Sequence, residues 1–296
     1  MRDALLVARF EILRAVRTWR ALALIVLYGV AAAGATWMFA EFIGMMENTV
    51  ADQLGVLRTE TPGAMLDKLV ESETWRDVVK ELVGSEHLVE HVLRVPPLAM
   101  FDLWFSFLIV PFFAASAAAE CIAIDVRSRA IRYEAARTGR LELAFGRFLG
   151  QVALTAVATV LAALVVWVTA WFTMVLPDPL LVLGWLLWFV PRSIAFALPF
   201  VGLGVAASQL TASAAWARVM AVGGTGLSWV LYGVARNADP TWWASLSDVA
   251  LQILPQGWLR GLWEPGGGWL LAAGACAALT ITVLTAGHLR FATRDL

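Results

Sequence analysis

Residues 125–147 read "DVRSRAIRYEAARTGRLELAFGR". They hold six arginines, no lysine, and three acids, Asp125, Glu134 and Glu142. Just upstream lies "LWFSFLIVPFFAASAAAECIAI", and a few residues downstream lies "VALTAVATVLAALVVWVTAWF". Each flank has the roughly 20 apolar residues that a helix needs to span a bilayer core. An arginine-dense segment between two such flanks reads as a loop held at one membrane face.

The whole chain supports that reading. Of 296 residues, 60% are hydrophobic and only 15% charged. A soluble domain carries about 25% charged residues, so this chain lacks the polar residues to cover a water-exposed surface. The net charge of −1 says little about partners; its distribution says more. Cys121 and Cys276 both sit in apolar stretches and read as small hydrophobes, not a disulfide framework. Only Lys68 and Lys80 are lysines, and the other 20 of 22 basic residues are arginines, a bias that hints at a GC-rich bacterial genome.

Six apolar stretches are candidate spans, at roughly 21–42, 97–122, 149–175, 186–209, 217–235 and 268–289. No alternating β-barrel pattern is present, so the spans read as helices, the one other way to satisfy the backbone in lipid. The fold class is therefore all-α and polytopic. The fourth span is interrupted by "VPRS" at 190–193, which predicts a short interfacial helix followed by the span proper. The N-terminus has a signal-peptide look, with arginines before "ALALIVLYGV". Its charged stretch reaches Arg20 and the apolar run continues to Phe42, so it reads as an uncleaved first span.

Arginine placement sets the orientation. Residues 1–20 carry five basic and two acidic side chains, and residues 125–147 six and three. Arg218 falls in the next loop on that side, and Arg290 and Arg294 in the tail. Residues 41–94 carry five basic and eleven acidic side chains. These counts place both termini and the 125–147 loop in the cytoplasm and the acidic loop outside.

Three regions are more than spans. Residues 1–20 predict an amphipathic helix with Leu5, Ile12, Val16 and Trp19 on one face, Ala8 and Ala15 beside it, and Arg2, Arg9, Arg17 and Arg20 in a neighbouring band. Such a helix can lie in the headgroup layer, and Arg9, Arg17, Trp19 and Arg20 are its candidate contact residues. Residues 43–96 predict a helical extracytoplasmic insertion. Thr61 precedes Pro62 as a candidate cap, Trp75, Val78, Val79 and Leu82 follow helical spacing, and Ser85 precedes a third short helix. Residues 237–267, with Trp242, Trp243, Trp258 and Trp263, predict an interfacial or re-entrant segment.

The chain offers little chemistry of its own. It has no GxxxxGK[ST] phosphate cradle; "AVGGTGLSW" lacks the lysine and lies in an apolar span, where glycines allow close helix packing. "GLGVAAS" reads the same way. With three histidines, no Ser/His/Asp arrangement forms. His87-Leu88-Val89-Glu90-His91 matches the inverted zinc-protease signature, yet its host segment is too short for such a protease; His87 and His91 stand as a metal pair or as surface histidines. Glu41, Asp102 and Glu120 lie near span ends, so no evident ion relay crosses the spans. Arg192 is the one charge placed deep, near the outer interface.

The 125–147 loop resembles the first cytoplasmic loop of permease subunits of type-2 ATP-binding-cassette (ABC) transporters. Asp125, "RSRAIRYEAART", Arg140 and Gly146-Arg147 stand where that family carries an acid, a small-residue turn, an apolar pair, an arginine and a Gly-Lys or Gly-Arg. The ending "HLRFATRDL", the basic amphipathic start, and the six-span layout with a large first outer loop are similar too. Two features depart: Arg129-Ala130 replaces the usual Gly-Thr, and the 43–96 insertion is larger than in minimal members. The resemblance implies a permease that binds no cofactor itself. ATP and magnesium would sit on two copies of a partner ABC ATPase, with a second permease copy or a similar permease completing the assembly in a bacterial inner membrane. It implies membrane lipid but no nucleic acid as partner, and export as the direction.

The residues alone point the same way, because six spans without a nucleotide site or ion relay need an external motor. Residues 127–140 are expected to form one rigid coupling helix. Arg127, Arg129, Arg132, Tyr133, Glu134, Arg137, Gly139 and Arg140 would contact the ATPase with mixed charge. Glu134→Ala or Arg137→Ala is expected to weaken that contact. The rival reading is a non-transporting scaffold or sensor that binds a partner through 43–96. On span two, Phe101, Trp104, Phe105, Phe112 and Phe113 suit lipid contact, dimer packing or an amphipathic cargo.

Overall fold

The structure is a computed structural model that describes residues 2–55, 57, 60–237 and 244–293, and within them every side chain except those of Arg20, Leu54 and residues 244–246. Among the described residues the secondary structure is entirely helical.

Helix α1 (Arg2–Arg17) ends at a sharp break where Trp19 takes φ 58. Helix α2 (Arg20–Leu54) then runs 35 residues, about 52 Å at 1.5 Å per residue. That exceeds the roughly 30 Å hydrocarbon core, so its far end leaves any bilayer that its apolar part crosses. Glu47 on this end is fully buried. Its carboxylate accepts the backbone N–H of Gly63 and of Met65, each at 2.9 Å. This anchor folds the following chain back onto α2.

Three short helices follow, α3 (Leu66–Val70), α4 (Glu73–Val83) and α5 (Glu86–Val92). Ser72 caps α4 by accepting the Trp75 N–H at 3.2 Å, and Gly84 ends it at φ 65. Trp75, Val79 and Val83 are buried, with Val78 and Leu82 packed against them. The expected caps differ. Thr61 and Pro62 open a turn and not a helix, because Glu47 already holds the backbone of 63–65. Ser85 sits at the α5 start without a side-chain cap bond.

Helix α6 (Pro97–Ala118) leads through α7 (Ala123–Arg127) and α8 (Ile131–Thr138) to α9 (Arg140–Thr173). Helix α10 (Pro179–Leu210) starts at Asp178, whose carboxylate accepts the Leu181 N–H at 3.0 Å. It is one continuous helix through Pro191 and Arg192, which corrects the expected interruption at "VPRS". A helix-interior proline forfeits one backbone bond, but α6, α9 and α14 clasp α10 and hold it in register. Helices α11 (Ala214–Arg236), α12 (Ala244–Ile253) and α13 (Leu259–Leu262), a 3₁₀ turn at Pro255–Trp258, and α14 (Trp269–Ala292) complete the chain. The expected interfacial tryptophans Trp242 and Trp243, and Arg294 of the tail, lie outside the described residues.

Among the described residues, five helical stretches are long and apolar enough to cross a membrane: Ala21–Gln53, Pro97–Arg127, Arg140–Thr173, Pro179–Leu210 and Trp269–Ala292. Helix α11, matching the expected 217–235 span, has 23 residues but is not among the five. Gly223, Gly224, Thr225, Gly226 and Ser228 dilute its apolar character. Along the outward side of α2, Val26, Leu27, Val30, Trp37 and Met38 are exposed, as a lipid-facing helix requires.

Arg192 is 2% exposed. Its guanidinium lies 5.6, 5.1 and 5.5 Å from the ring centroids of Trp188, Phe189 and Trp269, and it donates to the Glu264 carbonyl at 3.2 Å. The aromatic faces supply cation–π attraction, and the carbonyl ties α10 to the segment before α14.

Candidate functional site

The arginine loop and the first helix meet in one buried ion cluster. Its centre is Arg147 on α9, whose side chain is 3% exposed. Arg147 Nη1 donates to Glu11 of α1. Its Nη2 donates to Asp125 of α7 and to Glu134 of α8, both at 2.8 Å. Arg14 Nη1 adds a 2.6 Å bond to the same Asp125 oxygen, and Gln151 Nε2 donates to Glu11 at 2.8 Å. Two arginines and three carboxylates thus join four helices. The Asp125 hydrogen bond holds the Arg14 guanidinium above its ordinary value, against the lowering effect of burial.

Local sequence explains the approach. The stripe Ala4, Ala8 and Glu11, at helical spacing, is the buried face of α1. It lies on Gly146 and Gly150 of α9 so closely that a Cβ at 146 would meet the Ala4 carbonyl oxygen at 2.6 Å, and one at 150 the Glu11 Cβ at 2.8 Å. Only small residues allow such backbone contact. The predicted face differs in part: Leu5, Val16 and Trp19 are exposed, facing away from the bundle, while the alanine edge faces inward. Arg9 and Arg17 are exposed, and the side chain of Arg20 lies outside the described residues.

The loop is not one helix over 127–140. Arg127 ends α7 and a turn at 128–130 precedes α8. Arg129 makes that turn at φ 61, a left-handed backbone that costs a non-glycine residue about 1 kcal/mol. Gly139 closes α8 at φ 82 and opens α9. Arg140 turns to the chain's other end, donating to the carbonyls of Phe291 at 3.0 Å and Ala292 at 2.6 Å. A cation at the last turn of α14 complements the helix dipole.

The surface charge also differs from the mixed pattern expected. Glu134 faces Arg147, so the outward side of α7–α8 presents Arg127, Arg129, Arg132 and Arg137 around Tyr133, which is 80% exposed. A cavity of about 260 Å³ between α1, α8 and α9 opens beside Arg137, with Leu6, Phe10 and Leu143 in its walls. Glu11 was not singled out from sequence. Its signal was its place on the Ala4/Ala8 stripe, an acid where an inward face should be apolar.

The second candidate site separates. His87 is exposed, His91 half-buried, and Glu90 between them pairs with Arg76. Among the described residues no group of three or more His, Cys, Asp or Glu side chains gathers as metal ligands would. Burial, then the nearby Arg192 and Arg94, lower the His91 imidazole below its ordinary value. Asp102 is buried within α6, further inside the bundle than its place near a span end suggested.

No family model matches the chain, and no curated protein matches it.

Proposed function

We propose that the chain is the permease subunit of an ATP-driven ABC transporter, working as an exporter. In this reading α11 is a sixth span, both termini are cytoplasmic and residues 43–96 face outward in a bacterial inner membrane. Two permease copies, or one with a similar permease, pair with two ATPase subunits that hold the ATP and magnesium. A two-fold dimer is the commonest assembly for such a chain.

The observation that carries the reading is the Arg147 cluster. It makes α1, α7, α8 and the base of α9 one rigid unit while leaving four arginines and Tyr133 facing outward. A cytoplasmic motor pushing on that face would move α9 directly. Arg127, Arg129, Arg132, Tyr133 and Arg137 are the contact residues; Glu134, Gly139 and Arg140 set the shape that presents them. A cationic face favours an acidic partner surface and speeds encounter with it.

The test is purification from the native host in mild detergent, with the co-purifying proteins searched for a nucleotide-binding ATPase. The wild type is expected to bring down such an ATPase, and R127A/R129A/R132A/R137A to lose it while remaining folded. If no nucleotide-binding protein accompanies the wild type, the scaffold or sensor reading takes its place. That rival draws on the insertion having its own buried residues, Leu69, Trp75, Val79 and Val83. Topology is checked by labelling Ser72→Cys and Ser128→Cys from each side; Ser72→Cys labelled only from the cytoplasm refutes it.

A further inference from the structure

A cleft of about 460 Å³ lies between the insertion and the α9–α10 connection, within the size range of small-ligand sites. Its floor includes the buried Val95, Leu98, Met174 and Val182. The walls are joined by a hydrogen bond from the Val175 N–H to the Pro62 carbonyl at 2.8 Å, so the cleft belongs to the folded bundle. Its charged lining is lopsided: Asp67, Glu71 and Asp178 against Arg94.

Those acids differ from their neighbours. On the other flank of the insertion, Glu90 pairs with Arg76 and Glu86 with Lys80. Among the described residues, neither Asp67 nor Glu71 has an ion-pair partner, and Lys68 between them does not line the cleft. Asp178 has one oxygen committed to the α10 cap. An apolar floor under unpaired carboxylates complements a molecule with an apolar body and a positive head. A neutral or anionic amphiphile would gain the floor but leave the acids unmatched.

We propose that this cleft binds a cationic amphiphile, with its tail on the Leu98/Met174/Val182 floor and its head against Asp67 and Glu71. The proposal needs neither ATPase nor transport, so it stands or falls apart from the permease reading.

The test places one reactive thiol, Leu176→Cys, in the cleft wall of the full chain in phosphatidylcholine nanodiscs; Cys121 and Cys276 are buried. The labelling rate by a water-soluble maleimide is followed with dodecyltrimethylammonium, dodecyl sulfate or tetramethylammonium added. Saturable protection is expected from dodecyltrimethylammonium and none from dodecyl sulfate, with tetramethylammonium far weaker. D67N/E71Q in the same background should need about tenfold more dodecyltrimethylammonium, the combined effect of two partly exposed ion pairs. Arg94→Ala should need severalfold less. Equal protection by dodecyl sulfate overturns the proposal, as does unchanged protection in D67N/E71Q. A thiol already shielded in nanodiscs but reactive in detergent would show that bilayer lipid fills the cleft, which also overturns it.

Discussion

Two regions of the molecule use the same Arg–carboxylate chemistry in opposite ways. At the loop end, Arg147 pairs with Glu11, Asp125 and Glu134, and Arg14 shares Asp125, in a junction whose centre is buried. In the insertion, Arg76–Glu90 and Lys80–Glu86 lie on the surface, with every side chain about half exposed or more. Surface pairs contribute roughly 0–1 kcal/mol, because water screens them and two long side chains must be ordered. A buried cluster is stabilising only as a set: remove one member and the others keep their desolvation cost without compensation. The junction is therefore brittle and position-specific, whereas the insertion's surface pairs Arg76–Glu90 and Lys80–Glu86 can be changed at little cost.

The largest expected effect is at the centre of the junction. Arg147→Met should destabilise the protein by about 3–5 kcal/mol, because Glu11 loses its buried ion-pair partner and Asp125 keeps only the partly exposed Arg14. Thermal unfolding in detergent would show it, and trypsin should cut within α1 as that helix undocks. Adding E11Q and D125N to Arg147→Met should recover much of the loss, because removing charges together avoids unpaired ones. A single variant that unfolds like wild type would break the contrast.

Next comes the packing beneath the cluster. Gly150→Leu drives a side chain into Glu11 and should cost about 1–3 kcal/mol by overpacking, read as a lower melting temperature. The same change at Gly34, which has open space around it, should cost much less and serves as the control.

The insertion should respond to pH through His91. Its folded-state pKa lies below the ordinary value of about 6.5, so between the two values the unfolded segment binds more protons. Stability then rises with pH through that window and falls on acidification below about 6.5. Hydrogen exchange in α4–α5 at pH 7.5 and 5.5 should show the loss, and His91→Gln should flatten it. The smallest effect belongs to Arg76→Ala, within about 0.5 kcal/mol in the same exchange measurement. A loss there as large as that of Arg147→Met would erase the distinction between the two regions.

How much of this was legible beforehand depends on the range of the interaction. The apolar runs marked every long helix, because about 20 consecutive apolar residues carry a signal independent of context. The spacing of Trp75, Val78, Val79 and Leu82 carried the buried face of α4 within a few residues, whereas its Ser72 cap was not read from the sequence. Trp242 and Trp243 of the expected interfacial segment, and Arg294 of the tail, lie outside the described residues. The turn at Arg129 was hidden, because a non-glycine residue in a left-handed backbone goes against its local preference. Pro191 misled for the opposite reason: a local breaker was overruled by the helices around α10.

By itself, then, the sequence determined an all-helical, apolar chain with an arginine loop between two long helices and an acidic insertion just before the first of them. It did so through composition and periodicity, which act over one or two helical turns. Only the tertiary structure decided that Glu11 meets Arg147 across 136 residues, and that Glu134 turns inward and leaves the loop surface cationic. It also decided that Asp67 and Glu71 edge a cleft whose floor comes partly from α10. Those pairings depend on which faces of distant helices meet, and a charge reads the same in sequence whether its partner is a buried arginine or water.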